Sequence, residues 1–187
     1  MRAFRDAYLA DAKDKPLRIL DLGSAAIAGH VTYRDLFAAW DYLGLDAEAG
    51  VNVDLVLGDP YHWSEVADAS ADVVVSGQTF EHIEWPWLTI MEVARVLKPN
   101  GLAAITAPSS GHVHRYPRDS WRYYPDAFPA LARYAGLAVI ENEVDFSYAF
   151  RECAFWGDAF TWRDWPRPRS FPCRATTASG GARRSAS

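Results

Sequence analysis

Residues 88–105, LTIMEVARVLKPNGLAAI, constrain the fold of this chain more than any other stretch. From Leu88 to Leu97 apolar side chains recur at helical spacing, Lys98-Pro99-Asn100-Gly101 stops the helix, and Leu102 to Ala107 is short and strand-like. The spacing therefore predicts a helix, a tight corner and a buried strand, which is the repeating unit of an α/β domain.

The rest of the chain continues the alternation. A short amphipathic helix is expected over residues 2–12, then an apolar strand from Leu17 to Leu22 that ends in Asp21-Leu22-Gly23-Ser24, and a helix from Tyr33 to Trp40. Further strands are expected at Tyr42–Asp46, at Val53–Leu57 before Gly58-Asp59-Pro60, and at Val73–Ser76. After the 88–105 unit come a polar and aromatic stretch from Ser109 to Tyr124, a helix from Pro125 to Ala135 and a strand from Leu137 to Val144. The strands are nearly all apolar, as strands buried on both faces must be. The pattern is that of a single α/β domain with a doubly wound, mostly parallel sheet, whose ligands lie beyond the carboxyl ends of the strands.

Charge divides the chain unevenly. Residues 166–187 carry five Arg and no acid, so of the net charge of −5 a balance of −10 falls on residues 1–165. The domain is expected to occupy 1–165, and the Pro, Ser, Ala and Arg-rich remainder, with few apolar residues to bury, to be disordered. An acidic body repels a nucleic-acid backbone, which argues against DNA or RNA as partner. No apolar run reaches the roughly 18 residues that cross a bilayer, and the N-terminus lacks the apolar core of a signal peptide, so a cytoplasmic location is expected. Cys153 and Cys173 have neither disulfide-framework nor zinc-site spacing.

Asp46, 25 residues after Asp21, closes the second strand. An acid there can accept hydrogen bonds from both hydroxyls of a ribose. The G-x-G-x-x-G that cradles a pyrophosphate is absent, which weighs against a dinucleotide oxidoreductase.

Two loops are too rich in titratable and aromatic residues to be plain connectors: Ser76 to Trp87 after the fourth strand, and Ala107 to Tyr124 after the fifth. Both leave the same edge of the sheet and should face each other across a ligand. Residues 112–122 hold three Arg and two His against one Asp, a patch suited to a phosphate or carboxylate group. Aromatic residues such as Tyr116 and Trp121 can stack on a sugar or aryl ring. His112, His114 and Asp119 have no spacing that demands a metal, and none is expected.

Six segments in chain order carry a resemblance: D-L-G-S at 21–24, Y-R-D-L-F at 33–37, S-G-Q-T-F-E-H-I-E at 76–84, A-R-V-L-K-P at 94–99, A-P-S-S-G at 107–111, and H-R-Y-P-x-D-x-W-R at 114–122. Over roughly residues 17–158 the chain resembles class I S-adenosylmethionine-dependent methyltransferases, in particular a subgroup associated with glycan or other secondary modification. The resemblance implies a Rossmann-like fold with S-adenosylmethionine as cofactor, and makes Trp156-Gly157-Asp158 the family's last strand. It sets Asp21, Gly23 and Ser24 beside the methionine part of the cofactor, Asp59 at the adenine amino group and Pro60 at the wall of the ring. The family's D-x-G-x-G-x-G is here D-L-G-S-A-A-I-A-G, with only the first glycine in place. Ser76 and Gln78 are assigned to the cofactor with Asp46; Tyr33, Arg34, Glu81, Arg115, Tyr116, Trp121 and Arg122 to the substrate.

A methyl transfer needs an aligned acceptor and, for a hydroxyl, a group that takes its proton. His82 and His114 are the candidate bases, with Asp119 placed to orient His114. The expected activity is methylation of a hydroxyl on a small molecule or sugar, anionic if the basic patch binds it. The alternatives are an S-adenosylmethionine-binding module without catalysis and a nucleotide-dependent oxidoreductase. Nothing in the sequence sets the oligomeric state.

Overall fold

The computed structural model describes residues 1–26 and 32–144. The proposed tail at 166–187, the strand at 156–158 and both cysteines lie outside the described residues.

Five strands form one parallel sheet in the order β3-β2-β1-β4-β5, with β1 at Arg18–Leu22, β2 at Asp41–Asp46, β3 at Leu55–Val56, β4 at Ala71–Gly77 and β5 at Leu97–Thr106. Each pair is parallel, with Leu20 opposite Leu43 and Val74, and Val75 opposite Ala104. The winding reverses between β1 and β4, so the switch point of this doubly wound sheet lies at Leu22 and Ser76. Crossovers cover both faces, and β1 and β4 are buried along almost their whole length, which is why Ile19, Leu20, Leu22 and Val73 to Val75 dominate them.

Alternate residues of these strands feed two cores. Leu20, Leu22 and Val74 point to a core with Trp63, Phe80, Ile90, Val93 and Val96, while Ile19, Val73 and Val75 point to Leu9, Phe37 and Trp40. The first core is closed by α2 (Pro86–Val96) and α3 (Ala127–Tyr134), the second by α1 (Arg2–Tyr8) and residues 33–40. Pro86 sits in the first turn of α2, where its missing N–H costs nothing. Inside α2, Glu92 accepts the Trp63 backbone N–H at 2.8 Å while Arg95 donates to the carbonyls of Trp63 and Val66 and pairs with Glu92 at 2.7 Å. The opening motif is thus a clamp on residues 63–66.

Three expected elements differ. Residues 33–40 form successive turns rather than a helix; Phe37 N–H to Tyr33 O is a single helical bond, and Arg34 is pulled to Asn52 and Asp54 instead. So short a segment cannot offset helix nucleation once its side chains are held elsewhere. Residues 137–144 form no strand and are largely exposed, since a short apolar run makes a strand only against a partner edge. The Lys98–Gly101 corner lies within β5: Leu97 already pairs with Ala71, and an irregularity in register, with Asn100 at φ 66°, absorbs the turn. The N-terminal helix ends at Tyr8 and is followed by a 3-10 turn over Ala10–Ala12.

Candidate active site

The carboxyl ends of β1, β2 and β4 bring together most of the residues assigned to the cofactor, although several are occupied by their neighbours. Gly23 has φ 75°, and a side chain there would meet Thr79 Oγ1 at 2.1 Å. The one retained glycine is therefore required by the β4 loop packed on it as much as by backbone conformation. Ser24 is buried and donates to Asn52 O at 3.2 Å, and Ser76, also buried, donates to Leu22 O at 3.0 Å, tying β4 to β1. Asp21 is buried with the Tyr42 hydroxyl donating to it at 2.5 Å. Burial is the main reason its carboxyl is pushed up to about 7; the Tyr42 hydrogen bond opposes this and the Asp46 charge adds to it.

Asp46 stands half-buried at the end of β2, accepting the Ala25 N–H at 3.0 Å and the Glu48 N–H at 3.3 Å. Asp59 and Pro60 are exposed on the turn after β3, where Asp59 accepts the Tyr61 N–H at 2.8 Å. Gln78 is exposed at the end of β4 with φ 56°, a conformation rarely taken by a residue with a side chain. Tyr33 reaches over Gly77, where an added Cβ would meet its hydroxyl at 2.2 Å. Arg34 does not join the acceptor side; it pairs with Asp54 at 2.6 Å and covers the Tyr42 ring at 4.6 Å. S-adenosylmethionine fits this end on donor chemistry: Asp46, Asp59 and Gln78 offer oxygen acceptors for hydroxyl and amino groups, and Arg34, the cation here, is spent on Asp54. Among the described residues at this end, none offers a pyrophosphate a free cationic partner.

The second end is built by the two loops, which bind each other directly. Glu81 O accepts the N–H groups of Ser120 (2.7 Å) and Trp121 (3.2 Å), and Tyr123 donates its hydroxyl to Phe80 O at 2.8 Å. These bonds set His82 and His114 edge to face, with ring centroids 5.2 Å apart and planes at 86°. Nδ1 of His82 lies against Arg118 O, and Nδ1 of His114 is 3.3 Å from His112 O. Carbonyls only accept, so each ring holds a proton on Nδ1 and turns its Nε2 inward, toward Glu81.

Between them is Glu81, with no solvent exposure and neither carboxylate oxygen hydrogen-bonded. His82 Nε2 lies 3.7 Å and His114 Nε2 3.9 Å from the same Oε1. Burial pushes the Glu81 carboxyl up to about 7, with the nearby Glu81 backbone N–H, then His114 and Arg122, acting against it. Asp119 accepts the His114 backbone N–H at 2.7 Å and a two-pronged bond from Arg122, at 2.5 and 2.8 Å, which holds its carboxyl well below the usual range. Arg122 is thereby a strut rather than a free cation. Arg118 pairs with Glu84 at 2.5 Å, whereas Arg115 is exposed and makes no hydrogen bond or ion pair within the described residues. Trp121 is 39% and Tyr116 60% exposed, and Trp121 donates to Glu84 O. A shallow cleft of about 230 Å³ is lined by Gly111, Val113, Asp119, Ser120, Trp121 and Arg122.

Sequence reasoning missed Thr79, Asn52 and Tyr42, which hold Gly23, Ser24 and Asp21 in place. Only Tyr42 had a signal: it stands inside a strand, and a tyrosine hydroxyl carried into a sheet needs a partner.

Residues 20–105 match a family model described as a methyltransferase domain. No curated protein matches the chain. Among solved structures it is similar to the CurJ carbon methyltransferase (14% identity, TM-score 0.55, covering 78% of this chain and 50% of that one). It is similar also to a protein assigned as a sarcosine dimethylglycine methyltransferase from Galdieria sulphuraria (20%, 0.54, 75% and 62%) and to the [4+2]-cyclase SpnF (18%, 0.51, 72% and 57%). The chain spans half to about three-fifths of the length of these proteins. At such identities the likeness establishes the fold, which is the class I, Rossmann-like one. That a cyclase shares it shows that the chemistry has to be argued from the site.

Proposed function

We propose that this chain, a class I fold with a methyltransferase domain over residues 20–105, transfers a methyl group from S-adenosylmethionine to a hydroxyl of a small molecule or sugar. The observation that carries the reading is the pair of Nε2 atoms of His82 and His114 facing one buried carboxyl group beside the cofactor edge.

When bound, the cofactor supplies an electrophilic methyl on a sulfonium. The protein's part is alignment and proton handling, and alignment alone supplies several kcal/mol. Asp46 would hold the ribose hydroxyls, Asp59 the adenine amino group, and Gln78 with the backbone of residues 23–26 the remainder. On the acceptor side Trp121 and Tyr116 would stack on the acceptor ring and Arg115 would take an anionic substituent. His82 and His114 present lone pairs for the hydroxyl proton; Asp119 fixes the His114 backbone, and Glu81 compensates an imidazolium once formed. A general base of this kind contributes about 10² to 10⁴ in rate.

A second reading, binding without catalysis, draws on the packing of Thr79 against Gly23, which closes the approach that a glycine leaves open. Calorimetry with S-adenosylhomocysteine and with NAD, followed by turnover on a panel of hydroxylated sugars, separates the readings. Absence of S-adenosylhomocysteine binding defeats both; binding without turnover favours the second.

A further inference from the structure

A carboxyl group with no solvent exposure and no hydrogen-bond partner is costly, and native proteins keep one only where something else compensates it. Around Glu81 the groups nearest its free oxygens are the Nε2 atoms of His82 and His114, 3.7 and 3.9 Å from Oε1 and beyond hydrogen-bond distance. Three possible metal-ligand atoms converge with no hydrogen bond among them.

We propose that Glu81, His82 and His114 form a site for one divalent transition-metal ion of the zinc type, held by Glu81 Oε1 and the two Nε2 atoms. One ligand atom from each residue lies within 4.8 Å of the others. Bonds of about 2.1 Å at tetrahedral angles put ligand atoms roughly 3.4 Å apart. The observed 3.7 and 3.9 Å exceed that by a fraction of an ångström, within reach of small side-chain rotations. Two imidazoles and one carboxylate favour zinc and its neighbours over magnesium or calcium, which prefer oxygen alone.

The surroundings are those of a ligand set held in place. Each imidazole has its other nitrogen against a backbone carbonyl, the arrangement that fixes the ring and its tautomer at metal sites. Asp119, locked by Arg122, fixes the backbone of His114. Three protein ligands leave a fourth position for an oxygen, the pattern of catalytic rather than structural zinc.

The role of that position rests on the methyl-transfer reading. With the ion bound, the Nε2 lone pairs are engaged, and an acceptor hydroxyl on the ion would be acidified and release its proton to water instead of to imidazole. Ion binding itself does not depend on that reading.

The test is calorimetric titration of the full chain, stripped with EDTA, with zinc chloride and separately with magnesium chloride, each variant first checked for folding by circular dichroism. One zinc per chain is expected at micromolar or tighter affinity, with no heat from magnesium. At least tenfold weaker binding is expected in Glu81→Gln, His82→Gln and His114→Gln, and unchanged binding in His112→Ala, whose ring is a neighbour but not a ligand. Zinc should also raise the melting temperature of the wild type and not of His114→Gln, so that a misfolded Glu81→Gln leaves the test intact. No binding, or binding that survives all three ligand substitutions or is lost in His112→Ala, overturns the site. S-adenosylhomocysteine titrated in parallel keeps the outcomes apart: its binding with zinc absent sinks the metal site alone, and zinc binding without it sinks the transfer reading alone.

Discussion

The two ends of the candidate site treat their polar groups in opposite ways. At the cofactor end nearly every assigned side chain is already answered: Ser24 by Asn52, Ser76 by Leu22, Asp21 by Tyr42, Arg34 by Asp54. At the acceptor end Arg118, Arg122 and Asp119 are also paired, yet they are paired so that Glu81 and two histidine nitrogens are not. A satisfied buried group is scaffold, whose removal costs stability. An unsatisfied one is retained at a cost in stability, and its removal should cost turnover.

The largest expected effect lies at the unsatisfied end. His82→Ala and His114→Ala should fold, bind S-adenosylhomocysteine as the wild type does and lose about 10² to 10⁴ in turnover, read in a steady-state methylation assay. Wild-type rates in both variants would erase the distinction between the two ends.

Next in size is a pH dependence at the satisfied end. The Asp21 carboxyl is raised to about 7 by burial, so the folded state holds its proton more tightly than the unfolded chain does. Its contribution is favourable below the unfolded value near 4 and is lost as pH rises through about 7, at up to roughly 1.4 kcal/mol per unit. Urea melts at pH 4.5, 6 and 8 should show Asp21→Asn gaining on the wild type as pH rises. Equal slopes in the two proteins would show Asp21 to be solvated.

Arg95→Ala tests scaffold away from both ends. It would strand Glu92 and the carbonyls of Trp63 and Val66, at about 2–4 kcal/mol in denaturant unfolding, with the folded variant keeping its affinity for S-adenosylhomocysteine. A loss below about 0.5 kcal/mol would remove the clamp from the account. The smallest effect belongs to Arg115→Ala: a severalfold rise in KM for an anionic acceptor with kcat unchanged, and no rise for a neutral one.

The same contrast explains what could be read from the chain itself. Strands β1 and β4 were legible because burial on both faces leaves mostly apolar residues, and 88–105 because helix and strand periods differ across one corner. The facing of His82 and His114 followed from parallel topology alone, since loops after neighbouring strands share an edge. Residues 33–40 were misread because their conformation is decided by Asn52 and Asp54, and 137–144 because a short apolar run does not specify a partner. Glu81 was legible as a titratable residue in the right loop but not as a buried one: its burial depends on the bonds from Ser120 and Trp121 to its own carbonyl, 39 and 40 residues along the chain.

The most direct test is a crystal structure of the chain with S-adenosylhomocysteine. The account predicts density across the ends of β1, β2 and β4, the ribose on Asp46 and the sulfur turned toward the space between residues 78–87 and 109–122. A ligand bound elsewhere, or one whose sulfur faces away from His82 and His114, would contradict it.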